Sequence, residues 1–166
     1  MPAIKCILQP TDFSEGSDFA FRLACSLAEP YGARVHVLHV ARHPVISAVG
    51  DASEQEPERY REELTEMLHE RRADDPYITV EHQMLFSGDP APEILRVAAA
   101  IEADMIVMGT HGRSGLGRLL MGSVAEQVVR RALCPVVTVK VPLPHPESRA
   151  TAVTKAADEI AGMTNG

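Results

Sequence analysis

Short apolar runs alternate along the chain with segments of helical spacing. Residues 4–9 form a mostly apolar run closed by Pro10, as expected of a short buried strand. Asp12, Ser14 and Ser17 then offer helix N-caps. Apolar residues recur at Ala20, Leu23, Ala24, Leu27, Ala28 and Tyr31, which is one face of a helix. Gly32 ends that helix, with Pro30 in its last turn. Residues 34–40 give a second strand, and 42–57 a loop carrying Pro44, Gly50, Asp51 and Pro57. Residues 58–72 read as a charged helix whose inner side is Tyr60, Leu64, Met67, Leu68 and Arg71. A third strand at 77–86 leads through the turn Ser87-Gly88-Asp89-Pro90 to a helix at 92–102, with Ile94, Leu95, Ala98 and Ile101 inward. Residues 104–108 are almost wholly apolar, a fourth strand buried on both faces. A glycine-rich stretch at 109–121 follows. Gly122-Ser123 opens a fourth helix with Val124, Ala125, Val128 and Ala132 on one side, and 135–141 is a fifth strand. Pro142, Pro144 and Pro146 break what comes next, and 147–166 read as a mobile tail.

Strict alternation of strand and helix predicts an α/β fold: a doubly wound, five-stranded parallel sheet with helices on both faces. The strand order expected is 3-2-1-4-5, with a core domain at 1–141 and a tail at 142–166. Such sheets bind ligands outside the carboxyl ends of their strands, where the order reverses. That point lies between strands one and four.

Composition narrows the classes. With 166 residues the chain is one domain's worth. Its net charge of −7 argues against a broad nucleic-acid or anionic-membrane surface, yet a small anion site remains open because screening is short-ranged. Three scattered cysteines, Cys6, Cys25 and Cys134, form neither a disulfide framework nor a metal knuckle. No apolar run approaches the length of a membrane span. The opening residues enter a strand at once rather than a leader. The expected compartment is the cytoplasm.

The chemistry concentrates in Gly109-Thr110-His111-Gly112-Arg113-Ser114-Gly115-Leu116-Gly117-Arg118-Leu119-Leu120-Met121-Gly122-Ser123. This loop leaves a buried strand and ends at a helix N-terminus. Its glycines let the backbone approach a ligand, and successive N–H groups make an anion-binding concavity. The helix start adds unpaired N–H groups and partial positive charge. Arg113 and Arg118 add local charge, and the Ser123 hydroxyl reaches either the helix end or a phosphate. On the neighbouring strand, Pro10-Thr11-Asp12 places an acceptor where a ribose hydroxyl or an adenine amino group fits. Asp12 serves equally as an N-cap, and spacing alone leaves both roles open. The Walker lysine is absent from the loop. The turn after the first strand is not the dinucleotide fingerprint, and no acceptor Asp ends the third strand. His36 and His39 point to opposite faces of their strand, which is poor geometry for a shared metal.

Gly109, Gly112, Gly122 and Ser123 reproduce the pattern Gly, two residues, Gly, nine residues, Gly-Ser. In this the chain resembles the ATP-binding branch of the universal stress protein family. Pro10-Thr11-Asp12-Phe13-Ser14, His39-Val40, the run 124–130 and Cys134-Pro135-Val136-Val137 are similar to the family as well, so the resemblance covers residues 3–141. It implies ATP, with Mg²⁺ or Mn²⁺, as the ligand. Asp12 and Val40 would flank adenine and ribose, and Pro10 and Thr11 would shape that wall. Gly109, Gly112, Gly122 and Ser123 would cradle the phosphates, with Met108, Arg113 and Val124 beside them. The resemblance also implies a homodimer through the last strand, 135–141, and an uncovered apolar edge there would invite such pairing. Gln9 departs from the family, which has an apolar residue before Pro10.

Hydrolysis needs a positioned water and a group to orient it. Asp12 and His111 are the only candidates, and neither is assigned as catalytic. The sequence therefore reads as an ATP-binding, dimeric stress-response module that acts on an unnamed protein partner, with slow hydrolysis at most. A nucleotide-independent adaptor dimer and a true phosphotransfer enzyme are the alternatives.

Overall fold

Five parallel strands form one sheet in the order β3-β2-β1-β4-β5. The computed structural model describes residues 3–41, 55–110 and 121–140. The strands are β1 (Cys6–Thr11), β2 (Arg34–Ala41), β3 (Val80–Phe86), β4 (Met105–Gly109) and β5 (Val136–Val139). The helices are α1 (Glu15–Ala28), α2 (Gln55–His69), α3 (Pro90–Ala100) and α4 (Ser123–Arg131). The sheet order and the alternation are those the sequence predicts. Gly112, Arg113, His111 and the tail from 141 onward lie outside the described residues, as does most of the loop after β2.

Two apolar layers sandwich the sheet. Leu8, Leu38, Ile106 and Met108 face α3 and α4, meeting Ala91, Ile94, Val97, Ala98, Ala125 and Val128. Ile7, Val35, Val37 and Val107 face the other way, under Ala20, Phe21, Ala24 and Ala28 of α1 and Leu68 of α2. Strands covered on both faces must be apolar on both, which is why they read as continuous runs.

Several boundaries differ from the sequence expectation, each for a local reason. Pro10 lies inside β1 and does not close it, since pairing with β2 continues to Thr11↔His39. Pairing with β4 is recorded at Ile7↔Met105 and Leu8↔Ile106, so the N–H that Pro10 lacks falls beyond it. α3 starts at Pro90 and not at 92, because the Asp89 carboxylate accepts the Ala91 N–H at 3.3 Å as N-cap and proline suits the first helical position. α2 spans 55–69 and not 58–72. Leu64 and Leu68 are its buried residues, while Tyr60 and Met67 are exposed. β3 starts at Val80 and not at 77, because Asp75 turns the chain by accepting the N–H groups of Tyr77 and Ile78. α1 gives way to a 3-10 turn, Glu29–Tyr31, and Gly32 follows at φ +60°, a conformation that favours glycine.

Asp104 clips two strand starts together. Its Oδ2 accepts the N–H groups of Lys5 at 2.7 Å and Cys6 at 3.0 Å. These two donors hold its carboxyl below the ordinary range. A depressed folded pKa gives stability that is present above the unfolded value of about 4 and lost as pH falls through the folded one. Asp104→Ala is expected to cost about 1 kcal/mol at neutral pH by urea unfolding. The gap to wild type should narrow as the pH drops below about 4; a gap independent of pH would contradict this.

The three cysteines are free. Burial pushes each thiol up, that of Cys25 to about 11, so none is a thiolate nucleophile at neutral pH. No helix among the described residues is long and apolar enough to cross a membrane.

Candidate functional site

β1 and β4 part company near their carboxyl ends, and a cavity of about 290 Å³ opens there. That volume is at the lower end for small-molecule pockets. Three kinds of wall surround it. Leu38 and Val40 from β2, Pro90 and Ile94 from α3 and Met108 from β4 make an apolar slot. Pro10, Thr11, Asp12 and Ser17 make a polar wall at the end of β1. Gly109, Thr110 and the first turn of α4, from Gly122 to Ala125, make the third.

The polar wall is a closed set of short hydrogen bonds. Ser17 Oγ donates to the Ser14 carbonyl at 2.8 Å. Its oxygen then accepts from Thr11 Oγ1 at 3.0 Å. The Phe13 N–H donates to Thr11 Oγ1 at 3.1 Å. Ser14, and not Asp12 or Ser17, is the N-cap of α1, accepting the Ser17 N–H on its Oγ. Asp12 supports that cap, because its Oδ1 accepts both the N–H and the hydroxyl of Ser14. Beneath the wall, the fully buried Gln9 donates from Nε2 to the carbonyls of Pro10 and Ser17. Its Oε1 has no hydrogen-bond partner among the described residues. The amide ties α1 to β1, at the cost of one unsatisfied oxygen.

The third wall is a helix N-terminus. Gly122 is the N-cap of α4 at φ −63°, ψ 151°, and supplies no capping side chain. The N–H groups of the first turn have no intrahelical acceptor, and the helix dipole adds partial positive charge beside the cavity. Among the described residues no Lys or Arg lines the cavity, and from these an anion would meet backbone dipoles and the Ser123 hydroxyl. Thr110 fixes this end to the sheet: its N–H donates to the Val139 carbonyl at 2.9 Å, and its carbonyl accepts the Gly122 N–H at 2.7 Å.

Gly109 is a glycine for packing reasons. A Cβ there would stand 3.0 Å from Gly16 C, 3.2 Å from Gly16 O and 3.3 Å from Ser17 N. The end of β4 thus presses directly on the first turn of α1.

Of the residues singled out from sequence, Pro10, Thr11, Asp12, Val40, Met108, Gly109, Gly122, Ser123 and Val124 all border this cavity. Gly112 and Arg113 lie outside the described residues. Sequence reasoning missed Leu38, Pro90, Ile94, Ser17, Thr110 and Ala125. Leu38 had a signal, since it shares a strand face with Val40. Pro90 and Ile94 had none, because nothing local says that the start of α3 closes over β2. His36 and His39 take separate partners: His36 faces Glu81 and Gln83, and His39 donates its Nδ1–H to the Thr11 carbonyl at 2.7 Å. Among the described residues no group of three or more His, Cys, Asp or Glu is placed to hold a metal.

Known proteins share this architecture. Universal stress protein MJ0531 of Methanocaldococcus jannaschii is 39% identical over 142 residues, covering 83% of each chain. The solved structure of MJ0577, described as a structure-based assignment of biochemical function, superposes with a TM-score of 0.69 at 30% identity, covering 86% of this chain and all of that one. A universal stress protein of Archaeoglobus fulgidus solved in complex with dAMP shares the fold, with a TM-score of 0.57 at 23% identity over 84% of this chain and 100% of that one. The profile of the universal stress protein family matches residues 3–140, and with the relative at 39% identity this establishes that the chain belongs to the universal stress protein family.

Proposed function

We propose that the cavity binds ATP and that the protein is a dimeric regulatory module whose occupancy by ATP alters what it contacts. The observation that carries this is the pairing of an apolar slot with a helix N-terminus that has no capping side chain, across one crevice at the switch point of the sheet. The slot between Val40, Leu38, Ile94 and Met108 suits a purine. Asp12 stands where a ribose hydroxyl would donate to it. The amides of Ser123, Val124 and Ala125, with the Ser123 hydroxyl, suit phosphate oxygens. The dAMP complex of the A. fulgidus relative supports a nucleotide as the ligand. Gly112 and Arg113 belong to the same proposal through the spacing of their loop.

A divalent ion, Mg²⁺ or Mn²⁺, enters this reading as the companion of the triphosphate. The described residues offer it no cage of their own, so phosphate oxygens would carry it, with the Ser123 hydroxyl on the same wall. It would supply charge neutralisation of the β- and γ-phosphates. No side chain is assigned to hydrolysis, and the reading is of a binding module. Free thiols suit a reducing, cytoplasmic setting. Titration of nucleotide-stripped protein with Mg-ATP tests the ligand: saturable binding at micromolar concentration is expected.

The dimer is proposed to form through β5, the sheet edge next to β4. The carbonyls of Pro135 and Val139 accept from the N–H groups of Ile106 in β4 and of Thr110 just after it, so the backbone groups of Val136 and Thr138 point away from β4. Thr138→Pro removes one outward N–H and leaves the β4 ladder whole. Light scattering on a sizing column is expected to show a dimer for wild type and a monomer for Thr138→Pro. A dimeric variant would move the interface elsewhere.

A further inference from the structure

Behind the polar wall, on the α1 face of the sheet, three side chains pack together. Phe13 sits at φ +62°, in the left-handed region that costs a non-glycine residue about 1 kcal/mol. Its ring meets the His39 imidazole with centroids 4.4 Å apart and planes at 44°. Arg71, from the connection between α2 and β3, lies over the ring with Cζ 5.2 Å from the centroid, within cation–π range. Each neighbour is itself anchored. His39 donates its Nδ1–H to the Thr11 carbonyl at 2.7 Å, Arg71 is ion-paired with Asp18, and the Arg71 carbonyl accepts Nε2–H of His82 at 2.7 Å. Thr11 and Asp12 border the cavity, whereas Phe13 does not.

We propose that Phe13 is a positioning residue for the nucleotide site: anchored on His39 and Arg71, it holds the Thr11–Asp12 turn so that the Asp12 carboxylate faces the ribose. This rests on the nucleotide reading above. The physical case is one of constraint. A left-handed phenylalanine persists only where its surroundings over-determine it. Here the ring touches two anchored side chains, His39 and Arg71, and the N–H is held by Thr11 Oγ1. Asp12 lies between the two held residues, and its own Oδ1 is occupied by Ser14. Its direction is therefore set by Ser14 together with the backbone of Thr11 and Phe13. Glycine would adopt the same φ without strain, so the turn has no backbone need for phenylalanine. The ring is what the clamp requires. Through Arg71 the clamp also joins the pocket wall to the end of α2.

The test compares Mg-ATP with Mg-2′,3′-dideoxyATP, which lacks the hydroxyls Asp12 would accept, on the full chain. Wild type is expected to prefer ATP. Phe13→Gly removes the ring and relieves the strain; it should melt close to wild type, bind ATP about tenfold more weakly and lose the preference, which is the scale of one hydrogen bond to a charged group. Phe13→Tyr, which keeps the ring, should retain both. Should Phe13→Gly fail to fold, Arg71→Met opens only the outer side of the clamp and carries the same comparison. Equal weakening of both nucleotides, an unchanged preference, or no preference in wild type would overturn the proposal. A wild type that binds neither nucleotide sinks the nucleotide reading and this proposal with it.

Discussion

Gly109→Val is expected to lower the stability of the protein by about 3 kcal/mol or more, seen as a fall in melting temperature of roughly 6–12 °C. The reason is backbone against backbone. Even a bare Cβ at this position comes to 3.0 Å from the Gly16 carbonyl carbon and 3.3 Å from the Ser17 nitrogen. Neither can rotate away as a side chain would. Gly16 and Ser17 are buried in the first turn of α1, and that turn is tied to β1 through Gln9 and Thr11. The two further methyls of valine must displace the helix or the end of β4. Either movement disturbs the cavity, so nucleotide binding should fall with stability. Gly109→Ala makes a graded comparison, with a loss of about 1–2 kcal/mol. A melting temperature for Gly109→Val within about 2 °C of wild type would show that α1 can shift freely, contrary to this account.

Gly122→Asp is expected to move stability and binding in opposite directions. The position is an N-cap in the extended region, at φ −63°, ψ 151°, with no side chain to cap the helix. Aspartate adopts that conformation without strain and accepts a first-turn N–H, a gain of a few tenths of a kcal/mol over glycine. Its charge also suits the positive end of the helix dipole. The same carboxylate would stand where phosphate oxygens are proposed to sit, taking their donors and repelling their charge. Affinity for Mg-ATP should fall by about a hundredfold or more, the scale of losing two charge-assisted hydrogen bonds. A general disturbance of the fold would lower both quantities together. A purely structural role for this glycine would leave ATP binding untouched.

The sheet was legible because doubly covered strands have no polar face to confuse their pattern. Ile106, Val107 and Met108 are apolar in succession and buried in succession. What stayed hidden depends on contacts distant along the chain. Pro10 reads as a strand terminator, yet β1 continues through it because β4 has already parted there. Pro90 and Ile94 read as a turn and a helix; only the packing of α3 over β2 and β4 makes them a wall of the cavity. Val97, omitted from the inward face of its helix, is buried beside Ile94 and Ala98. Arg71 reads as a member of a helix face. In the structure it lies beyond α2 and covers Phe13. The candidate site was legible where local backbone chemistry carried it. Gly122 and Ser123 announce a helix start after a strand, and Asp12 directly follows the central strand. Gly109 was legible as a glycine, but its reason, the close approach of Gly16, was not.

The most direct measurement is a calorimetric titration of nucleotide-stripped protein with Mg-ATP, run beside Gly122→Asp at the same pH and salt. Saturable binding at micromolar concentration is predicted in wild type, and binding weaker by about a hundredfold or more in a variant that melts at or slightly above the wild-type temperature. Binding of equal strength in both would contradict a phosphate site at the start of α4. Absence of binding in wild type would contradict the nucleotide reading itself and bring the adaptor dimer forward.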